Sequence, residues 1–141
     1  MDFPAFMQPG EVCWTSVRNL KENPDHAVGP GKPRPGILVA PASDRWMVIG
    51  TTTVAHFRDG SPRTRIPPNL WEEVMHRLYG AGYLWGHNVQ FVPHDDIGTH
   101  IGWASPELRE FAIKPIDNIH DQQVREDFLR LRPDEQGADD A

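Results

Sequence analysis

Fourteen prolines and twelve glycines cut this 141-residue chain into segments too short for long helices. Proline fixes φ and removes a backbone donor, while glycine opens the left-handed region, so both mark turns and strand ends. A chain punctuated in this way folds most readily as short strands joined by turns. The material for a core is present, since 38% of residues are hydrophobic and 24% charged, a balance that argues against a disordered chain. The length suits one domain, read as residues 1–132, with a disordered acidic tail at 133–141. No internal repeat is visible.

Gly10-Glu11-Val12-Cys13-Trp14-Thr15-Ser16-Val17 alternates in character and reads as a strand. A loop follows at 18–33, long enough to suggest function or disorder. Residues 35–40 form a continuous apolar run, the pattern of a buried strand. Pro41-Ala42-Ser43-Asp44 reads as a turn, and 45–53 as a third strand. The stretch 54–67 is polar and broken by Asp59-Gly60-Ser61-Pro62. The period then changes: Leu70, Trp71, Val74, Met75 and Leu78 share one helical face, with Asn69 as cap and Glu72 completing a capping box. Residues 83–93 read as a strand or strand pair, and 97–103 as a shorter strand. Ser105-Pro106-Glu107 is a helix start, with a capping serine and proline at the first helical position. A last helix is expected over 118–131. The fold class is therefore mainly β with added helices, and a closed SH3-like small barrel is the simplest arrangement of such short strands.

The net charge of −6 argues against an all-over nucleic-acid binder. The charge is uneven, however. Residues 1–66 hold eight Lys/Arg against six Asp/Glu, and residues 67–141 hold six against fourteen. Any polyanion site should lie in the first half, although the acidic tail alone accounts for much of the asymmetry. The single cysteine, Cys13, has no internal disulfide partner and reads as a core residue. No apolar stretch is long enough to span a bilayer, and Met1-Asp2-Phe3-Pro4 lacks the features of a signal peptide. A cytoplasmic location and no membrane are the expectation.

Four segments are candidates for chemistry. In Lys32-Pro33-Arg34-Pro35 two prolines fix the backbone around Arg34, and a pre-aimed guanidinium suits a phosphate or a phosphoryl transition state. Gly50-Thr51-Thr52-Thr53 ends the third strand with hydroxyls, although threonine is also a plain strand former. Gly86-His87-Asn88-Val89-Gln90 offers an acid or base and two side chains suited to base edges, or else a simple turn. His94-Asp95-Asp96 with His100 matches no metal-ligand spacing and reads as an exposed acidic loop, so no metal and no cofactor are expected. Walker, nucleophile-elbow, zincin and paired-cysteine motifs are absent. Small nucleases and binding modules remain.

Taken in order, Pro9-Gly10-Glu11-Val12-Cys13-Trp14, then Lys32-Pro33-Arg34-Pro35-Gly36-Ile37-Leu38-Val39, then Val48-Ile49-Gly50-Thr51-Thr52, resemble the PemK/MazF family of toxin endoribonucleases. Weaker similarity runs through 82–91 and Ile101-Gly102-Trp103-Ala104-Ser105-Pro106-Glu107-Leu108. The resemblance covers residues 9–113. It implies a PemK/MazF-like, CcdB-type barrel that cleaves single-stranded RNA without metal, through attack of the RNA's own 2′-hydroxyl. It implies that Arg34 stabilises the transition state or acts as acid and that Thr52 or Thr51 supplies the active-site hydroxyl, with Thr52 preferred; the register leaves both open. His87 falls near a catalytic position. Arg18, Lys21 and Lys32 of the gate-like loop, with Asn88 and Gln90, are the implied RNA contacts. A homodimer and an acidic antitoxin partner are also implied. The segment 54–82 and the chain past Lys114 are longer than the family pattern. The alternatives are a noncatalytic SH3-like module, its groove lined by some of the five tryptophans, and a toxin of the same fold acting on a protein such as a topoisomerase.

Overall fold

Ser43 and Asp44 turn the chain between its two longest strands, β2 (Arg34–Ala42) and β3 (Arg45–Thr52), with Ser43 at φ +64°. The computed structural model describes the backbone of residues 7–16, 33–75 and 82–130. β1 (Glu11–Thr15) precedes this hairpin. It is followed by α1 (Pro68–Met75), β4 (Tyr83–Leu84), β5 (Gln90–Pro93), β6 (Ile97–Trp103), α2 (Pro106–Ile113) and α3 (Gln122–Leu129).

The described strands form one antiparallel sheet in the order β4-β3-β2-β1-β6, with β5 also pairing β3. β5 takes the first half of β3, Arg45 to Val48, and β4 takes Thr51 and Thr52. Only a 3-10 turn, His94–Asp96, separates β5 at one edge from β6 at the other. Three such residues rise about 6 Å, so the two edges must come close and the sheet must roll. That turn is anchored at both ends, by the Ser16 N–H just past β1 donating to the Asp96 carbonyl at 3.0 Å and by the His94 N–H donating to the carbonyl of Asp44, in the β2–β3 turn, at 3.4 Å. Among the described residues no ladder joins β6 to β4 or β5. The expected closed barrel is therefore corrected to a rolled, open sheet: the short turn draws the two edges together, but no strand pairing among the described residues joins them.

Rolling buries both faces of the central strands. One face carries Val12, Ile37, Val39 and Ile49, which join Leu108, Ala112, Ile116, Ile119 and Phe128 in the larger core. The other carries Cys13, Leu38 and Val48, packed with Trp46, Val92 and Ile97. A strand covered on both sides needs no polar alternation, which explains the continuous apolar run of β2. Each fully buried aliphatic side chain contributes about 1.5–3 kcal/mol.

The helices start where local chemistry dictates, with one change. Ser105 caps α2, its hydroxyl accepting from the Leu108 N–H at 3.1 Å, and Pro106 opens the first turn. α1 begins at Pro68, ahead of Asn69, so Asn69 is the second helical residue and not the cap; proline is preorganised for the first position. α3 is shorter than expected because Asp121 caps it, accepting from Gln123 N–H at 2.9 Å. Asn118 instead clasps the backbone of Val89 through both its carboxamide groups.

Arg109 of α2 is wholly buried, and its guanidinium lies on Gly10, where a Cβ would stand 2.5 Å from Cζ. Gly10 has φ +91°, so glycine is required there twice over, by conformation and by contact. Arg109 donates to the Ala104 carbonyl at 2.8 Å and to that of Arg130. One buried cation thus ties the start of β1 to the ends of β6 and α3. Among the described residues no helix is long and apolar enough to cross a membrane.

Candidate functional site

Arg34 is the first residue of β2, held between Pro33 and Pro35 and paired with Thr15 of β1. The Thr15 hydroxyl donates to the Arg34 carbonyl at 3.0 Å, which fixes the backbone there. The guanidinium donates through Nη1 to the hydroxyl oxygen of Thr52 at the end of β3. Its Cζ stands 5.2 Å from the centre of the Trp85 ring, a cation–π contact. The Trp85 backbone is set in place by its amide N–H, which donates to the Gly50 carbonyl at 2.8 Å. Burial lowers the Arg34 pKa from its ordinary value, yet a guanidinium remains charged at any physiological pH. Among the described residues no carboxylate pairs with it.

Arg34, Thr52 and Val54 line two cavities at once. The smaller, about 170 Å³, runs between Trp14 and Trp71. The larger, about 660 Å³, is an open cleft walled by His56, Phe57, Arg58, Arg63 and Trp85, with Asp59 and Ser61 at its edge. Three arginines against one aspartate make this cleft basic in a chain that is acidic overall.

The far wall is a tight excursion of the chain. Phe57 N–H donates to the Ser61 carbonyl and Arg63 N–H to that of Ala55, each at 2.8 Å. Asp59 closes the tip by accepting from the Ser61 hydroxyl at 2.6 Å and backbone N–H at 2.9 Å, and these bonds lower its pKa. Arg63 braces the wall. It stacks on Phe57 at 4.7 Å and on Trp85 at 4.8 Å, and donates to the carbonyls of Trp85, Val54 and His56.

The structure separates the two threonines. Both are buried and both line the smaller cavity, but only Thr52 also lines the larger cleft. Thr51 donates to the Pro35 carbonyl at 2.6 Å, a tie between β3 and β2. Thr52 accepts from Arg34 and from the Val54 N–H at 3.1 Å. A hydroxyl has two acceptor lone pairs and one proton, so the Thr52 proton remains to be donated. His87 is exposed, lines neither cavity, and packs its ring edge-on against Phe57 at 6.3 Å. Asn88 is exposed beside it. Gln90 is buried, its carboxamide filling the space over Gly50 that a Cβ would need. Arg18, Lys21 and Lys32, with nearly all of the gate-like loop, lie outside the described residues, as does the tail at 133–141.

Sequence reading did not single out His56, Phe57, Arg58 and Arg63, because 54–67 looked like a polar connection. The signal was present: Arg58, Arg63 and Arg65 crowd around one turn. Fold and site together define a mainly β protein with a basic, aromatic-walled cleft at the end of its central hairpin. Compared with models of known protein families and with curated proteins, the chain matches none.

Proposed function

We propose that this cleft binds single-stranded RNA and cleaves it without metal. The observation that carries the proposal is the Arg34–Thr52 pair: a cation with no carboxylate partner among the described residues and a hydroxyl with a proton to give, both lining the cleft. The 2′-oxygen attacks the adjacent phosphorus and the bond to the 5′-oxygen breaks, leaving a cyclic phosphate and a 5′-hydroxyl. Arg34 neutralises charge that builds on the phosphoryl oxygens, and Thr52 donates to one of them. His56, the imidazole that lines the cleft, accepts the 2′-hydroxyl proton, and the departing 5′-oxygen takes a proton from solvent as the imidazolium gives its own back to solvent. Trp85 and Phe57 offer ring surface to splayed bases, the usual means of holding single strands. The rolled sheet is then an open form of an SH3-like barrel of the PemK/MazF kind. The same resemblance supplies a cytoplasmic homodimer and an acidic antitoxin.

The test uses purified protein and a mixed cellular RNA in the presence of chelator. The expected result is cleavage that leaves cyclic phosphate ends, fails on 2′-deoxy substrates, and falls at least 100-fold in Arg34→Ala with the circular dichroism spectrum unchanged. Cleavage that requires added metal overturns the mechanism. Saturable RNA binding without any cleavage overturns the enzyme and leaves a noncatalytic module.

A further inference from the structure

Glu11 is a carboxylate buried in the sheet with only 5% of its surface exposed, yet no lysine or arginine among the described residues pairs with it. Its Oε1 accepts from the Gln8 N–H at 3.2 Å. Its Oε2 accepts from the Cys13 thiol at 3.3 Å and stands 3.0 Å from Nδ1 of His100. Glu11 and Cys13 are two residues apart on β1 and so share a face. His100 lies opposite Cys13 on β6, at a point where the register shifts on both sides of Cys13. Topology alone brings these three together, since His100 is 89 residues from Glu11.

We propose that Glu11 Oε2, Cys13 Sγ and His100 Nδ1 form a binding site for one zinc-class divalent cation that cross-links β1 to β6. The three donor atoms lie within 4.8 Å of one another. Zinc bonds of about 2.0–2.3 Å give a tetrahedron with edges of about 3.3–3.6 Å. Two of the three edges are therefore nearly formed, and the third closes with a small swing of His100, whose side chain is 43% exposed. The donor set of thiolate, imidazole and carboxylate is one that zinc accepts. Solvent reaches the site past His100 and supplies the fourth ligand. On binding, Cys13 releases its thiol proton to solvent and neutral His100 carries its remaining proton on Nε2. The ion's two charges then balance one thiolate and one carboxylate, so the buried negative charge of Glu11 is compensated. The Gln8 N–H orients the carboxylate and the Trp103 ring, 5.2 Å from that of His100, backs the imidazole. The ion sits between strands near the bulges, and the RNA chemistry of the cleft does not pass through it.

The experiment titrates chelator-stripped full chain with Co²⁺ alone and reads the thiolate-to-cobalt charge-transfer absorption. The expected result is a band that saturates at one ion per chain, is bleached by Zn²⁺, and is accompanied by a rise in Tm with Zn²⁺. His100→Ala changes an exposed position and keeps the fold; it should weaken binding at least 10-fold. Cys13→Ser should abolish the band. Absence of a saturable band, or a band equally strong and equally tight in His100→Ala, overturns the site. RNA cleavage in chelator is a separate readout, so this proposal and the one for the cleft fail independently.

Discussion

The guanidinium of Arg34 reaches across the β2–β3 pair to the hydroxyl of Thr52, while the adjacent Thr51 turns its hydroxyl the other way, onto the carbonyl of Pro35. Alternation along β3 thus divides two identical side chains into one at the cleft and one in the sheet. Their valine variants should part in the same way. Thr51→Val strands the Pro35 carbonyl and should cost about 1–3 kcal/mol in urea unfolding. Thr52→Val should instead lower RNA turnover about 10-fold or more, an effect that Thr51→Val should lack. Equal effects of the two variants on both readouts would contradict this division.

Two guanidiniums lie near the Trp85 ring, Arg34 at 5.2 Å and Arg63 at 4.8 Å from its centre. Trp85→Ala removes the ring surface and should weaken binding of a noncleavable 2′-deoxy strand by about 1–3 kcal/mol. Trp85→Phe keeps a face for stacking and should retain most of the affinity. Fluorescence anisotropy distinguishes the two, and equal loss in both variants would exclude stacking as the role.

Arg58 is exposed on the cleft wall. If it neutralises one phosphate, Arg58→Ala should weaken all sequences alike and reduce the slope of log K against log salt by about 0.7. An unchanged slope would place the RNA backbone elsewhere.

The Arg109 guanidinium lies wholly inside the protein and satisfies carbonyls from two segments. Arg109→Ala should therefore cost about 3 kcal/mol or more in chemical denaturation, through unsatisfied carbonyls and a cavity. Gly10→Ala should also destabilise, since it adds a Cβ against that guanidinium at a left-handed φ. A loss under 1 kcal/mol in Arg109→Ala would show that the burial is not structural.

Burial first, then the charge of Glu11 and the hydrogen bond to it, push the Cys13 thiol pKa well above its ordinary range. The unfolded chain ionises this thiol near pH 8.5, whereas the folded chain keeps its proton. Stability is therefore unaffected by this group below that pH and falls above it, by up to about 1.4 kcal/mol per pH unit. Urea unfolding of metal-free protein between pH 8 and 10 should show this decline, and Cys13→Ala should flatten it. A parallel decline in the variant would assign the effect to other groups.

Much of the local structure was legible in the chain. Ser105-Pro106 marked a helix start because a capping hydroxyl and a fixed φ act within one turn. β6 was legible to the residue, and β2 by its apolar run. Arg34 stood out because two prolines constrain it. Asn69 misled because proline outranks asparagine at the start of α1, a competition that depends on where the chain enters the helix.

Sequence by itself determined the short strands, their turns and the basic bias of the first half, since these follow from φ restrictions and side-chain periodicity within a few residues. Tertiary structure alone decided that the sheet rolls without closing, which of two adjacent threonines faces Arg34, that the 54–63 excursion walls the cleft, and that Glu11 and Cys13 meet His100. The physical reason is reach: a three-residue turn between β5 and β6 sets how far the sheet curls, and no neighbouring residue encodes which distant side chains that curl brings together.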